Sequence, residues 1–330
     1  MNDWGKSVLD QYEIQIQGTS RGRGALLCDT DRGLKLLIPC GCTEHHLEAE
    51  NRILVSLREH GFEAVDEALR NKEGKLMSED EEHRFYVLKD WYEGAECSAE
   101  RTEDWRRAVL TLARLHKTLR ECPAPEEERN SVFAGESILE EYERHNKELM
   151  RVRNYVFHRK QKNAFERMIK ESFGVMYELA LEAEEELSAS GYEARYEEVK
   201  KKGTLCHGSF HYHNVIMSHP ECSVTNFQKA AVQIQLVDLY LFMRKILEKR
   251  GWKEEIGVLM LETYSSVLPI DQEELAILRC LFLYPEKYWK QLNFYRSSKK
   301  AWIPEKNADK LEQCIHQEPL RRQFIRKVFV

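Results

Sequence analysis

Three histidines, a serine and an asparagine fall within the eight residues 207–214. The spacing of His207, His211 and His213 could place three imidazoles around one zinc ion, although no carboxylate lies close by in sequence to orient the rings. Asn214 offers an amide oxygen of the kind that helps to hold magnesium during phosphoryl transfer. Zinc binding and phosphoryl transfer are therefore the two chemistries to weigh, and the sequence favours the second.

Carboxylates are scarce in this segment and after it. In residues 210–237 the only acidic residue is Glu221, which lies in a predicted turn. A hard dication prefers charged oxygen ligands. Ser209 cannot accept a proton near neutral pH without a base of its own, and a general base typically contributes about 10²–10⁴ in rate. We therefore expect phosphoryl transfer at this site to be absent or vestigial.

Asp238 could supply the missing acid. Alternation of apolar and polar residues over 232–237 is typical of a strand, and a strand ending at Asp238 would present its carboxylate to a metal. The following apolar residues instead recur at helical spacing, at positions 239, 242, 243, 246 and 247. Asp238 then lies where a helix N-cap belongs. The sequence favours this structural role and keeps the metal-ligand role as the alternative.

The first ninety residues are predicted to be rich in strands and the rest to be helical. Strands are predicted over 12–17, 24–28, 33–38 and 84–90, with one more near the turn at residue 74. A helix is predicted over 43–60, with Gly61 as its end. Beyond Gly94, long amphipathic helices are predicted over 136–155, 159–201 and 304–316.

Composition excludes several classes of protein. The net charge of −6 and the mixture of both signs give no basic stripe for nucleic-acid binding. We find neither a signal peptide nor an apolar run near the roughly 18 residues of a membrane span, so we expect a soluble intracellular protein. The nine cysteines show no repeated C-x-x-C pairing and are expected to be reduced thiols. Cys40-Gly41-Cys42 could bind a metal but lacks a second pair.

The chain resembles small-molecule kinases. The 207–214 loop is similar to the His-Gly-Asp-x-His-x-x-Asn loop of aminoglycoside and choline phosphotransferases, with Ser209 in place of the catalytic Asp and Asn214 retained. Residues 224–227 match the family's apolar-Asp-Phe segment, with Asn226 in place of the metal-binding Asp. The resemblance implies an α+β, bilobal protein-kinase-like fold, with a small β-rich N-lobe (1–94) and a large helical C-lobe (95–330).

Over nearly its whole length the chain is identified as a member of the CotS-type spore coat family, kinase-fold relatives of the aminoglycoside phosphotransferases in endospore-forming bacteria. The resemblance rests on residues 21–27, 33–37, 86–94, 207–214, 238–245 and 284–289. It implies synthesis in the cytoplasm, deposition on the forespore coat during sporulation, and other spore coat proteins as partners.

The resemblance also implies roles for individual residues. His207 would pack the catalytic loop, and Asp238 would brace the loop backbone. The family's phosphate-binding lysine is expected at Ile38, so Lys35, three residues earlier and on the opposite face of the strand, would face solvent. A residual site for ATP and magnesium would be formed by Lys35, Glu48 or Glu50 as the pairing acid, Arg23 and Gly24 in the lid, Asp90, Asn214 and Asn226.

Three functions remain open at this stage. The first is a pseudokinase, a structural or adaptor protein of the spore coat with a degenerate nucleotide cleft. The second is a working phosphotransferase on a small hydroxylated substrate, with Asp238 as metal ligand. The third is nucleotide binding without transfer.

Overall fold

The computed structural model describes residues 6–22, 24–219, 221–298 and 305–329. Their strands are β1 (Ile16–Gly22), β2 (Ala25–Thr30), β3 (Gly33–Pro39), β4 (Met77–Glu79), β5 (Phe85–Asp90), β6 (Leu205–Cys206), β7 (Val215–Ile216), β8 (Ser223–Val224) and β9 (Ala231–Val232). Their helices are α1 (Lys6–Leu9), α2 (Glu44–Glu59), α3 (Thr102–Glu121), α4 (Glu126–Arg129), α5 (Ile138–His158), α6 (Ala164–Ala189), α7 (Tyr192–Lys202), α8 (Leu236–Arg250), α9 (Glu254–Ser265), α10 (Gln272–Leu283), α11 (Glu286–Ser297) and α12 (Glu305–Val328).

Strands β1 to β5 form one antiparallel sheet in the order β1-β2-β3-β5-β4. The chain turns from β2 into β3 at Gly33, whose φ of +80° is a conformation that glycine adopts without strain. The register pairs Lys35 on β3 with Asp90 on β5, and Leu36 with Lys89. The sheet therefore presents Lys35 and Lys89 on opposite faces, because neighbouring residues of a strand alternate in direction.

Helix α2 follows β3 and matches the predicted helix over 43–60. Its N-cap is Thr43, whose side chain accepts a hydrogen bond from the backbone of His46. Its apolar side includes Leu47, Leu54 and Leu57, which are buried. Glu50 lies on the same side, because residues three and four apart on a helix are neighbours, and it is only 2% exposed. A carboxylate buried in this way requires a partner.

The chain packs as two compact units, residues 1–134 with 202–239 and residues 135–201 with 240–330. The first unit holds the five-stranded sheet, α3 and two short strand pairs, β6 with β9 and β7 with β8. The lobe boundary predicted at residue 94 falls between the end of β5 and the start of α3. That boundary stays a prediction.

The second unit is helical and corrects one predicted helix bound. The amphipathic segment predicted over about 159–201 forms two helices, α6 and α7, which are separated at Gly191, where φ is +81°. Helix α12 continues beyond the predicted end at residue 316 and through Pro319, because Phe324 and Ile325 near its end are buried. Across the described ranges, no helix combines the length and the apolar character that crossing a membrane requires.

Candidate active site

The 207–214 loop lies between β6 and β7 and ends in a 3-10 turn, Tyr212–Asn214. A second 3-10 turn, Phe227–Lys229, connects β8 to β9. The two segments touch at Gly208, where φ is +72° and an added Cβ would lie 1.8 Å from the carbonyl oxygen of Lys229. Only glycine fits this position, so the loop and the segment that contains Asn226 are held together by close backbone contact.

His207 is fully buried and its ring has a defined set of contacts. Its Nδ1 accepts a hydrogen bond from the backbone N–H of Ser209 at 3.1 Å, so its Nε2 carries the proton and donates to the carbonyl of Thr225 at 3.0 Å. Burial lowers the pKa of His207. A neutral imidazole with both nitrogens engaged positions the loop backbone and is poorly placed to move protons.

Asp238 lies in the first turn of α8, two residues after the helix begins, and is fully buried. Its Oδ2 accepts hydrogen bonds from the backbone N–H of His207 at 2.6 Å and from Nε2 of His116 at 3.1 Å. Its Oδ1 accepts from the backbone N–H of Gly208 at 2.9 Å. A metal would have to displace these N–H donors, so the contacts favour the bracing role over the metal-ligand role.

Ser209 and Asn214 are neighbours in the loop. The Asn214 side-chain N–H₂ donates to the carbonyl of Ser209 at 2.9 Å and lies 3.4 Å from its hydroxyl. Ser209 is half-buried, whereas Asn214 is 7% exposed. Asn214 thus shapes the loop, and Ser209 beside it carries a neutral hydroxyl where the resemblance to kinases predicts a carboxylate.

Asn226 adopts the left-handed conformation, with φ of 69° and ψ of 62°, which asparagine tolerates better than most residues. Its side chain is exposed, and its backbone N–H donates to Oδ2 of Asp66 at 2.9 Å. Asp66 lies in the segment between α2 and β4, and this segment is joined to β8 by the bridge between Val65 and Val224. Asn226, for which the resemblance predicts a metal-binding position, therefore donates its backbone N–H to a buried carboxylate that the sequence did not reveal.

Asp66 belongs to a buried group that we call the Lys89 cluster: Lys89, Glu50 and Asp66. Lys89 Nζ lies 2.6 Å from Oε1 of Glu50 and 3.2 Å from Oδ2 of Asp66. The three side chains are at most 5% exposed. Sequence reasoning missed Lys89 and Asp66. The available signal was a lysine directly after the apolar residues 86–88 of a predicted strand, where a buried charge demands an acid.

Two carboxylates share one ammonium in the Lys89 cluster. Burial raises the pKa of Asp66 to about 6, and the Glu50 charge adds to this effect while the Lys89 charge opposes it. The two acids keep the pKa of Lys89 above its usual value in spite of its burial. Among the described residues, Oε2 of Glu50 and Oδ1 of Asp66 are buried without a hydrogen-bond partner. The cluster is therefore short of positive charge.

This shortage gives a prediction for Asp66→Asn. Since the folded pKa of Asp66 is about 6 and its ordinary value is 3.8, the folded state binds the proton more tightly than the unfolded state. The contribution of Asp66 to stability should then fall as pH rises from about 4 to about 6, by on the order of 1–3 kcal/mol. Urea unfolding of wild type and Asp66→Asn across this range measures the difference.

Glu48→Gln is a control for which stability should depend on pH in the opposite direction. Hydrogen bonds from Arg70 lower the pKa of Glu48, so its smaller contribution should be lost as pH falls below its ordinary pKa. The raised pKa of Asp66 would be contradicted if the difference in unfolding free energy between wild type and Asp66→Asn stayed constant or grew as pH rises from 4 to 6.

The prediction for Lys35 was wrong in one respect. Lys35 does not face solvent: it is 7% exposed, and its Nζ lies 2.7 Å from Oδ1 of Asp90 and 2.6 Å from the carbonyl of Arg32. Lys35 and Leu37 lie on the buried face of β3, whereas Leu36 and Ile38 on the opposite face are half-buried. Asp90 has a second partner, Arg58, at 3.1 Å. Lys35 and Asp90 therefore form a structural ion pair.

The acids of α2 divide between two partners. Glu48 lies on a more exposed side and binds Arg70 with both oxygens, at 2.7 and 2.8 Å. Glu50 is the acid that binds a lysine, and that lysine comes from β5. Of the two acids left open by the sequence, Glu50 is the one that the structure places in a lysine pair.

The remaining predicted site residues lie apart from this group. Gly24, between β1 and β2, has φ of +79° and open space around it, whereas Arg23 lies outside the described residues. The loop histidines do not converge, since His207 binds backbone groups and His213 pairs with Glu96. In the part of the chain that the structure describes, no group of three or more His, Cys, Asp or Glu is arranged to hold a metal ion.

Solved structures define the class of fold. An aminoglycoside phosphotransferase from Alicyclobacillus acidocaldarius superposes with a TM-score of 0.85 at 15% identity, over 98% of this chain and 94% of that one. Spectinomycin phosphotransferase APH(9)-Ia gives 0.60 at 14% identity, over 94% and 95%. A choline kinase from Cryptosporidium parvum gives 0.53 at 11% identity, over 100% and 94%. The predicted α+β, kinase-like fold is confirmed.

The family follows from the sequence as a whole. The family model described as "Spore coat putative kinase YutH" matches residues 5–328, so the chain belongs to this family of spore coat kinase-fold proteins. The resemblance to kinase-like spore coat proteins is thereby confirmed. No curated protein is significantly similar to the chain in sequence.

Proposed function

We propose that this protein is a pseudokinase of the spore coat, a structural or adaptor protein that retains the kinase fold without efficient phosphoryl transfer. One observation carries the proposal: both positions that need a carboxylate hold neutral side chains, Ser209 and Asn226, and the nearby acids are already bound. Asp238 accepts three N–H groups, and Asp66 binds Lys89 and the backbone of Asn226. Phosphoryl transfer depends on such carboxylates to hold metal ions and accept the proton.

The lysine arrangement supports the same proposal. Lys89 is the lysine that pairs with α2, and it is 1% exposed with two acids in contact. Its ammonium has a third N–H group, but so little of the side chain is exposed that a phosphate could reach it only if the buried cluster opened. Lys35 is likewise engaged, by Asp90. Neither lysine is offered to a nucleotide.

An active phosphotransferase is the second candidate, and one observation favours it. Oδ1 of Asp66 has no hydrogen-bond partner among the described residues, and its carboxylate contacts the backbone at Asn226. Asp66 could in that case replace the missing metal acid. Magnesium coordination by Asp66 together with Asn214 would then require the Lys89 cluster to open.

Phosphate release and nucleotide binding separate these candidates. With ATP and magnesium, the wild type is expected to release phosphate no faster than Asn226→Ala. The matched variant Ser209→Asp/Asn226→Asp, which restores both acids, reports how far these two positions alone limit the chemistry. Magnesium-dependent release by the wild type at ordinary turnover, abolished in Asn226→Ala, would overturn the pseudokinase proposal. Loss of that release in Asp66→Asn would favour the second candidate.

Nucleotide binding without transfer is tested by thermal shift. The structure of APH(9)-Ia was obtained with ADP and spectinomycin, and amicoumacin kinase was obtained with AMP-PNP and Ca²⁺. If the cleft of this protein retains binding, ATP at a hundred times the Kd should stabilise it by about 2.7 kcal/mol. An increase in Tm that does not need magnesium would show binding by a site without metal acids. No change in Tm favours a purely structural role.

The proposed place of action is the spore coat, with other coat proteins as partners and synthesis in the cytoplasm of the sporulating cell. The family to which the chain belongs supports this proposal. Fractionation of sporulating cells, followed by detection of the protein, should find it in the coat extract. Retention in the cytoplasmic fraction of the mature spore would contradict it.

A further inference from the structure

A pair of thiols lies at the entrance to α2, outside the candidate active site described above. Cys40 follows β3, and Cys42 precedes Thr43, the N-cap of α2. Their Sγ atoms are 3.6 Å apart, in van der Waals contact. Both residues are half-buried, and Gly41 between them has open space where a side chain would be. The two sulfurs are therefore close together, in residues that keep part of their surface exposed and are joined by a glycine.

The pair differs from the other seven cysteines, all of which lie within the part of the chain that the structure describes. Six of these, at positions 28, 97, 122, 206, 222 and 280, are buried. Cys314 is half-buried like the pair, but burial raises the pKa of its thiol to about 11. Buried or protonated thiols react slowly, because the thiolate is the nucleophile. Any selective thiol chemistry of this chain should therefore occur at Cys40 and Cys42.

The surroundings of the pair favour a thiolate at Cys40. The hydrogen bond between the two sulfurs is the main reason why the Cys40 pKa is lowered to about 6; burial and the charge of Glu50 oppose this effect, and the charge of Lys89 adds to it. The same hydrogen bond raises the pKa of Cys42. The N-terminus of α2, a helix of 16 residues, adds its positive dipole end next to the pair. One sulfur is thus prepared to attack and the other keeps its proton.

We propose that Cys40 and Cys42 form a thiol–disulfide exchange site that closes into an intramolecular disulfide on reaction with a low-molecular-weight disulfide. The proposal is independent of whether the kinase-like site binds nucleotide. It assigns to this chain a covalent redox site that takes a small disulfide as its co-substrate.

The exchange proceeds in two balanced steps. The Cys40 thiolate attacks one sulfur of the small disulfide, an S–S bond forms between them, and the released thiolate takes up a proton. Cys42 then loses its proton and attacks the Cys40 sulfur, which expels the second small thiolate. Two electrons pass from the protein to the small disulfide; solvent supplies the proton for the first small thiol and Cys42 supplies the proton for the second. Closure shortens the Sγ–Sγ distance from 3.6 Å to about 2.05 Å, a movement that Gly41 can accommodate.

The test uses the full-length reduced protein with oxidised glutathione at neutral pH. After the remaining thiols are alkylated, trypsin releases residues 36–52, a peptide that contains Cys40, Cys42 and no other cysteine. Mass spectrometry should find this peptide unalkylated and lighter than its reduced form by the mass of two hydrogen atoms. The peptide that carries Cys314 should be alkylated. Oxidation of the pair should be at least about tenfold faster than glutathione addition at Cys314.

Two variants examine the order of the steps. Cys42→Ser should accumulate a stable glutathione adduct on Cys40, because the resolving thiol is gone. Cys40→Ser should form an adduct at Cys42 more slowly than Cys42→Ser forms one at Cys40, because burial still raises the pKa of the Cys42 thiol. The proposal is overturned if the wild-type pair reacts no faster than Cys314, if the wild type retains glutathione without closing, or if Cys42→Ser forms no adduct. The Tm of each variant shows whether it folds. If a variant folds poorly, the comparison of the pair with Cys314 in the wild type still tests the proposal.

Discussion

Lys89→Met should destabilise the folded protein by about 3–5 kcal/mol at neutral pH, because it leaves Glu50 and Asp66 buried and negatively charged without their shared cation. This is a large part of the 5–15 kcal/mol that typically stabilises a domain. The loss should shrink as pH falls. Burial already raises the pKa of Asp66 to about 6 with the lysine present, and removal of Lys89 raises it further. Urea unfolding of both proteins at pH 7 and pH 5 measures the effect.

Lys35→Met is the matched control on the neighbouring strand. Its acid partner, Asp90, is 21% exposed and keeps Arg58 at 3.1 Å, so the loss should be about 1 kcal/mol. The neutral triple variant Glu50→Gln/Asp66→Asn/Lys89→Met should recover most of the stability lost by Lys89→Met. If Lys89→Met is as stable as Lys35→Met, or if its defect grows on acidification, the Lys89 cluster does not hold its charges as described.

The Lys89 cluster connects three parts of the first unit. Glu50 belongs to α2, Lys89 to β5, and Asp66 contacts the backbone at Asn226. The resemblance to kinases led us to expect the pairing lysine on the third strand. Here Ile38 occupies that expected position, and β5 supplies the lysine instead. The ion pair to α2 is thus formed by a buried lysine from a different strand.

The sequence predicted the elements where local patterns decide them. Thr43, the apolar spacing of α2 and Gly61 fixed that helix to within one residue at each end. The sequence could not predict which acid of α2 pairs with a lysine. Glu48 and Glu50 differ only in whether the sheet covers their side of the helix, and the sequence does not show this. The solvent-facing prediction for Lys35 failed for a similar reason, since alternation along β3 says nothing about whether both faces are covered.

The identity of the Asp66 contact was beyond sequence reasoning. Asp66 lies 160 positions before Asn226 in the chain, in a segment without regular periodicity. Only the packing of that segment against β8 brings the two together. The position of Asp238 near the start of a helix was easier to predict, because the apolar residues from Leu239 onward recur at helical spacing. Its hydrogen bonds to the loop backbone depend on the tertiary fold, and the bracing role itself stays a prediction.

Gly208→Ala should cost about 2–5 kcal/mol or prevent folding. A left-handed backbone costs a residue with a side chain about 1–2 kcal/mol, and overpacking of a tight site typically adds 1–3 kcal/mol. Here the added Cβ would lie 1.8 Å from the carbonyl oxygen of Lys229 and 2.7 Å from its carbon, and backbone atoms cannot rotate away as a side chain could. Chemical denaturation of the full-length protein measures the loss.

Gly33→Ala separates the two contributions to this cost. Gly33 has φ of +80° and open space around it, so its alanine variant should lose only the conformational part, about 1–2 kcal/mol. The excess loss in Gly208→Ala is then the contact with Lys229, which joins the 207–214 loop to the turn after Asn226. Equal losses in the two variants would show that this contact is not tight. A clear excess would mean that the close loop geometry is required for folding itself, so that glycine at 208 is needed whether or not the site transfers phosphate.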